Sequence, residues 1–223
     1  MHIQSYLFPM TNVRGSKQRL NRQTVITDDE LGQAITVANG IEDSFLKARA
    51  KAVISLCRIS GKRRGEIAML PRKNVKVNLP YLEVTFILEK KRTEKVLSKV
   101  STKLFPIDDP LTKKVVAYME LLDIRLPNSE YLFPSAKIVF GTYIMFPEKH
   151  LSGRHIFNII RGCSETIWPH LNRETVASDV VQQDQSINAI FKVQQTLDLS
   201  DFRTAFNYVR RFSKQVVQRQ TQT

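Results

Sequence analysis

The sequence predicts a mainly α-helical domain with one small antiparallel β-sheet inserted after its third helix, an α+β arrangement. Three observations lead there. Apolar residues recur at helical spacing, as in Phe45, Ala48, Ala52, Val53, Leu56 and Ile59. Residues that start and stop helices bracket these runs. Beyond Pro71 the period changes, and Leu82, Val84, Phe86 and Leu88 alternate with Glu83, Thr85, Ile87 and Glu89 as in a half-buried strand.

The elements follow in chain order. Residues 1–26 are basic, polar and without periodic pattern, and read as an N-terminal arm or linker; residues 27–223 read as one folded domain with a C-terminal helical tail. Thr27-Asp-Asp-Glu30 is a capping box, so a helix opens there and ends near Gly40. The run from Phe45 makes a second helix, with Gly61 suited to the position just past its end. Glu66 to Leu70 predicts a third, short one, stopped by Pro71. Val75 and Val77 alternate with lysines ahead of the strand at 82–88. Lys90 to Lys95 reads as a hairpin turn, with a return strand over 96–107. Asp109-Pro110 places a cap and an N1 proline at the start of a helix through Leu122. Tyr131-Leu-Phe-Pro134 reads as a short apolar segment before a loop. Helices follow over 152–160, from His170 behind Trp168-Pro169, and from about Ser200 to the tail.

Charge narrows the partner class. Thirty-four Lys and Arg against 21 Asp and Glu leave a formal charge of +13, with an isoelectric point near 9.9. Such a field attracts polyanions, nucleic acid first among them. The excess is clustered: Arg14, Lys17, Arg19 and Arg22 stand without an acid, Lys90 to Lys103 hold one glutamate, and Arg210, Arg211, Lys214 and Arg219 close the chain. No apolar run reaches the roughly 18 residues of a membrane span, and the N-terminus lacks a secretory pattern. The expectation is a cytoplasmic, nucleic-acid-associated protein with no membrane partner. Cys57 and Cys163 have no pairing motif and read as buried thiols.

Four stretches hold groups capable of chemistry. Gly61-Lys-Arg-Arg-Gly-Glu66 sets Arg63 and Arg64 at a helix end, with Glu66 spaced to orient Arg63; the ordinary alternative is a solvated basic loop. Trp168-Pro-His-Leu-Asn-Arg-Glu-Thr175 puts His170 and Arg173 on one face at a helix mouth, where free N–H groups favour anions; the alternative is a capped surface helix. Lys90 and Lys91 lie where a hairpin tip can deliver an ammonium as a general acid, or simply form a solvated turn. Tyr208 sits at the edge of an apolar stripe and by pattern alone better suits a half-buried core position.

Their order and spacing resemble the tyrosine recombinase (phage integrase) family. Gly61-Lys-Arg63-Arg-Gly-Glu66 resembles the family's Gly-x-Arg-x-x-Glu box, and Pro169-His170-Leu-Asn-Arg173-Glu-Thr175 its Pro-His-x-Leu-Arg-His-Thr box. Leu199 to Tyr208 matches the segment that ends in the nucleophile, and Glu89-Lys-Lys-Arg92 falls on the hairpin that holds the family's lysine. The basic box and hairpin are similar to those of archaeal integrases. The resemblance covers Thr27 to about Arg211 and implies the family's catalytic-domain fold.

It also implies a site-specific recombinase or integrase acting on double-stranded DNA, assembled as a tetramer on two DNA sites, with no cofactor and no metal. Tyr208 would attack the scissile phosphate and form a 3′-phosphotyrosyl link. Arg63 and Arg173 would hold nonbridging oxygens, with Glu66 supporting Arg63. His170 would assist proton transfer, and Lys90 or Lys91 would protonate the leaving 5′-oxygen. Arg64, Arg92 and Lys95 would contact DNA. A type IB topoisomerase-like enzyme uses a similar set of groups, and a decayed, non-catalytic DNA-binding relative is the alternative from another class. Three departures stand out. Leu199 occupies the place of the family's His or Trp, nine residues before the tyrosine. Asn172 and Glu174 replace a leucine and a histidine around Arg173, with Glu174 placed to orient or partly neutralise that arginine. The family's upstream DNA-clamping domain has no counterpart, so the chain reads as a catalytic fragment or as a minimal recombinase with a basic arm.

Overall fold

A computed structural model describes residues 25–88, 100–140 and 142–220, without the side-chain surroundings of 138, 142 and 214–220. The order is α1 (Asp28–Asn39), α2 (Ser44–Ser60), α3 (Arg64–Ala68), a 3-10 turn (Arg72–Asn74), β1 (Val75–Asn78), β2 (Tyr81–Ile87), β3 (Val100–Pro106), α4 (Pro110–Arg125), β4 (Pro134–Val139), β5 (Thr142–His150), α5 (Gly153–Cys163), α6 (Pro169–Gln183), α7 (Asn188–Thr196) and α8 (Phe202–Gln220).

Local signals explain most boundaries. Thr27 and Glu30 close the capping box at α1. Asp109 accepts from the backbone N–H groups of Leu111 and Thr112 at the head of α4, with Pro110 at N1. The α2 helix stops at Gly61, whose φ of +59° is left-handed. A Cβ there would lie 2.8 Å from Leu197 Cδ2 and 3.2 Å from Val176 Cβ, so glycine serves both the turn and the close approach of α6 and the residue after α7.

Strands β1, β2 and β3 form one antiparallel sheet in that order, with Val84 opposite Val75 and Lys103. Leu82, Val84 and Phe86 turn one face of β2 into the core, as the alternation predicts. The main core packs α2 against α4 around Phe45, Leu56, Tyr118, Leu122 and Phe133, all buried. A second cluster joins α6, α7 and α8 through Val181, Val193, Leu197, Ala205 and Phe212.

Three expectations need correction. The segment after Pro134, read as a loop, pairs as a second antiparallel sheet, β4 with β5, so the described residues form two small sheets. Its apolar letters run together in Ile138-Val-Phe140 and Tyr143-Ile-Met-Phe146 instead of alternating, which hides strand periodicity. An additional helix, α7, fills the region before Ser200; the Ser186 hydroxyl at its head accepts from the Asn188 N–H at 3.2 Å, and its nine residues are too few to show a sustained helical period. Ile26, assigned to the arm, is buried in the core, and its N–H donates to Thr175 Oγ1 at 2.8 Å. The rest of the arm, residues 1–24, lies outside the described residues, as does the hairpin segment 89–99. Both cysteines are buried and unpaired. Among the described residues, no helix is long and apolar enough to cross a membrane.

Candidate active site

Four elements meet around a cavity of about 750 Å³. The end of α2 and start of α3 bring Lys62, Arg63 and Arg64. The head of α5 brings Gly153, Arg154 and Phe157, and the head of α6 brings Trp168, Pro169, His170 and Arg173. Leu199, Thr204 and Tyr208 arrive from the turn before α8 and from α8 itself.

Arg63 is the residue before the first turn of α3. Its backbone N–H and its guanidinium both donate to the buried Glu66 carboxylate, at 2.8 and 3.1 Å. The pair sits three residues apart on one turn, so the sequence spacing alone dictates it. Glu66 faces inward and the Arg63 guanidinium stays half exposed on the cavity wall.

Arg173 is buried, and its partners are backbone groups. One guanidinium nitrogen donates to the Gly61 carbonyl at 2.9 Å, and the other to the Leu197 carbonyl. It thus bridges the end of α2 and the end of α7, and it shares the cavity wall with Tyr208. Burial lowers its proton affinity, and the nearby Arg63 pushes the same way, while Tyr208 and Glu66 oppose both. Two guanidiniums close enough to repel, in a cavity wall, make a place where an anion relieves the strain.

Tyr208 is half-buried, stacked on Phe212 with ring centroids 6.3 Å apart. Burial raises its phenol above the ordinary value; Arg173 opposes that rise, and the Glu174 carboxylate adds to it. The balance leaves a protonated phenol whose anion Arg173 is placed to stabilise.

The head of α6 has no side-chain cap, since Trp168 occupies that position and Pro169 follows it. His170 lies exposed at the rim, with Nε2 3.5 Å from Glu174. The expectation that Glu174 orients or neutralises Arg173 is corrected: its carboxylate engages His170 and Arg211 instead, the latter at 3.2 Å. A residue next in sequence to Arg173 leaves the helix about 100° away from it, so adjacency is not contact. Burial works to raise the Glu174 carboxyl, but His170 and Arg211 outweigh it and hold the group below its ordinary value.

The described wall contains Lys62, Arg63, Arg64, Arg154 and Arg173 and no Asp or Glu. Among the described residues, no three His, Cys, Asp or Glu side chains converge on a common point. The arrangement suits an oxyanion flanked by a phenol. Thus Arg63, Arg64, His170, Arg173 and Tyr208 share one cavity, with Glu66 behind Arg63. Lys90, Lys91, Arg92 and Lys95 lie outside the described residues. Sequence reading missed Arg154, Phe157, Thr204 and the buried Lys62. Arg154 had a weak signal, lying just past the Ser152 cap of α5; Lys62 had none.

No family model matches the sequence, and no curated protein matches it. Solved structures do match the fold. XerH site-specific recombinase bound to difH substrate, in a pre-cleavage complex, aligns with a TM-score of 0.60 at 14% identity, covering 83% of this chain and 50% of that one. Its post-cleavage complex with palindromic difH aligns at 0.62 and 16%, covering 95% and 56%. XerA recombinase aligns at 0.57 and 19%, covering 84% and 60%. The fold is that of the tyrosine recombinases. Its small sheets and surrounding helices match the catalytic-domain arrangement of that recombinase fold. The chain spans between half and three fifths of the length of these recombinases.

Proposed function

We propose that this chain is a tyrosine-type DNA strand transferase, a site-specific recombinase or integrase. The observation that supports it is the convergence of Arg63, His170, Arg173 and Tyr208, from three distant parts of the chain, on one cationic cavity free of carboxylates among its described lining. In the proposed reaction the Tyr208 oxygen forms a bond to a scissile phosphorus and the bond to the 5′-oxygen breaks. The tyrosine proton leaves toward His170, and Lys90 or Lys91 delivers a proton to the 5′-oxygen. Arg63 and Arg173 neutralise charge developing on the nonbridging oxygens. The phosphotyrosyl link conserves the energy of the broken phosphodiester, so rejoining to a new strand needs no ATP. Arg64, Arg92 and Lys95 are proposed DNA contacts, double-stranded DNA is the partner, and a homo-tetramer on two sites is the working assembly.

Leu199 favours a second reading, a DNA-binding protein without cleavage. It lines the cavity wall, yet its side chain offers no hydrogen bond to a phosphate. Nicked suicide duplexes, enriched from a randomised pool by binding to the full chain, separate the two. A covalent adduct that disappears in Tyr208→Phe supports the transferase. Salt-sensitive binding with no adduct on any enriched duplex sinks it. Strand exchange between two sites, against relaxation without exchange, then distinguishes recombinase from topoisomerase.

A further inference from the structure

We infer that Lys62 and Asp198 form a positioning clamp that sets the turn between α7 and α8, and with it the placement of Tyr208 against Arg173. This rests on the strand-transferase reading above, in which Tyr208 is the nucleophile. Neither residue is part of the proposed catalytic set.

The clamp is built from both sides. The Lys62 side chain is fully buried, with its ammonium paired to the Asp198 carboxylate, 3.3 Å from Ser101 Oγ and 4.8 Å from the centre of the Phe86 ring. The other Asp198 oxygen accepts from Ser101 Oγ at 2.8 Å and lies 3.4 Å from the Lys103 ammonium. Lys103 also donates to the Gln195 carbonyl at 2.6 Å, at the end of α7. One carboxylate therefore gathers donors from the α2–α3 turn and from β3.

Burial, then the neighbouring Lys103, weakens the hold of Lys62 on its proton, to a value of about 7, while Glu66 opposes them. A lysine among Arg63, Arg173 and Lys103 has no reason to face inward unless a carboxylate meets it. Asp198 meets it at a conformational cost. Its φ of +47° lies in the left-handed region, uncommon for a residue with a side chain, though aspartate enters it more readily than most.

What the clamp holds explains its use. The Leu197 carbonyl receives Arg173, Asp198 receives Lys62, and Leu199 faces the cavity. The Leu197 side chain packs over Gly61, immediately before Lys62. Leu197 and Asp198 are thus held by Gly61 and Lys62, from the segment that bears Arg63, and Arg173 adds a hold from α6. The α8 helix starts three residues after Leu199, and Tyr208 lies within its first two turns. A shift of the turn is carried by α8 to the phenol. Because Ser101 and Lys103 stand on β3, directly after the segment that holds Lys90 and Lys91, the clamp also couples that strand to the tyrosine helix.

The test compares the full chain with Lys62→Met, with Asp198→Gly, which accepts the left-handed φ, and with the double variant, which removes both fully paired charges and leaves Lys103 its Gln195 carbonyl. The first readout is hydrogen exchange of the amides at 197–200, which needs no DNA. The second is the single-turnover rate of adduct formation on nicked duplexes enriched by binding to the wild-type chain, with duplex affinity measured in parallel. The double variant is expected to melt within a few degrees of wild type. Its turn amides should exchange about tenfold faster or more. Adduct formation at saturating duplex should fall about 10- to 100-fold with affinity unchanged, and Lys62→Arg should recover most of that loss. Unchanged exchange in the turn overturns the clamp, as does a lower melting temperature with an unaltered adduct rate per folded molecule. If the wild-type chain forms no adduct on any duplex, the transferase reading fails by itself and the exchange data alone decide the clamp.

Discussion

Replacing Arg173 with methionine removes a cation while keeping a long unbranched side chain in place. In the native structure this guanidinium is buried and satisfies two carbonyls, Gly61 and Leu197, that stand 136 residues apart in sequence. Hydrogen bonds to charged groups contribute about 1.5–3 kcal/mol each, and a buried carbonyl left unpaired costs about the same again at the low end. Removing the desolvated cation returns part of this, since its burial already disfavours the charged form. The net loss is about 3–4 kcal/mol. At about 2–4 °C per kcal/mol for a domain of this size, the melting temperature should fall by about 10 °C. Arg173→Lys, which reaches a single carbonyl, should lose roughly half as much. Arg63→Met is the comparison: its guanidinium is half exposed, but the buried Glu66 carboxylate would keep only the residue 63 backbone N–H, and about 2–3 kcal/mol is expected. Calorimetry on the three variants measures this directly. A loss below about 1 kcal/mol for Arg173→Met would refute the stabilising role of this bridge.

Other expectations follow from the same geometry. Leu199→His places a donor on the cavity wall, and adduct formation should rise by about tenfold or more; an unchanged single-turnover rate would show that this position does not face the phosphate. Glu174 is held below its ordinary carboxyl value of 4.5, so it contributes stability above that pH and loses it as pH falls through its lower folded value. Glu174→Gln should therefore be less stable than wild type at neutral pH, with the difference vanishing in acid; a constant gap across pH 2–7 in denaturant titrations would contradict this. Arg154→Ala should leave folding intact and lower the salt slope of duplex binding by about one, read from affinities over a range of salt concentrations. An unaltered slope places Arg154 off the backbone path.

Several features were legible because their causes are local. The Thr27–Glu30 box, the Asp109-Pro110 start and the Gly61 stop each act within one helical turn, and the structure places them where the letters say. The Arg63–Glu66 pair belongs to the same class. The β4–β5 sheet was hidden because its apolar residues cluster without alternation, and α7 because nine residues are too few to show a sustained helical period. Glu174 misled because neighbours in sequence point in different directions on a helix.

By itself, then, the sequence determined which cationic and phenolic side chains are available and where most of the helices and the first sheet begin. These depend on side-chain identity, short-range hydrogen bonding and periodicity. Only the tertiary structure decided what holds those residues in position. Arg173 is fixed by backbone carbonyls, which have no letter in the sequence. Lys62 looks like any surface lysine until the fold brings Asp198, 136 residues away, against it. Contacts of that separation arise from packing of whole elements, so neither partner contains a sign of the other.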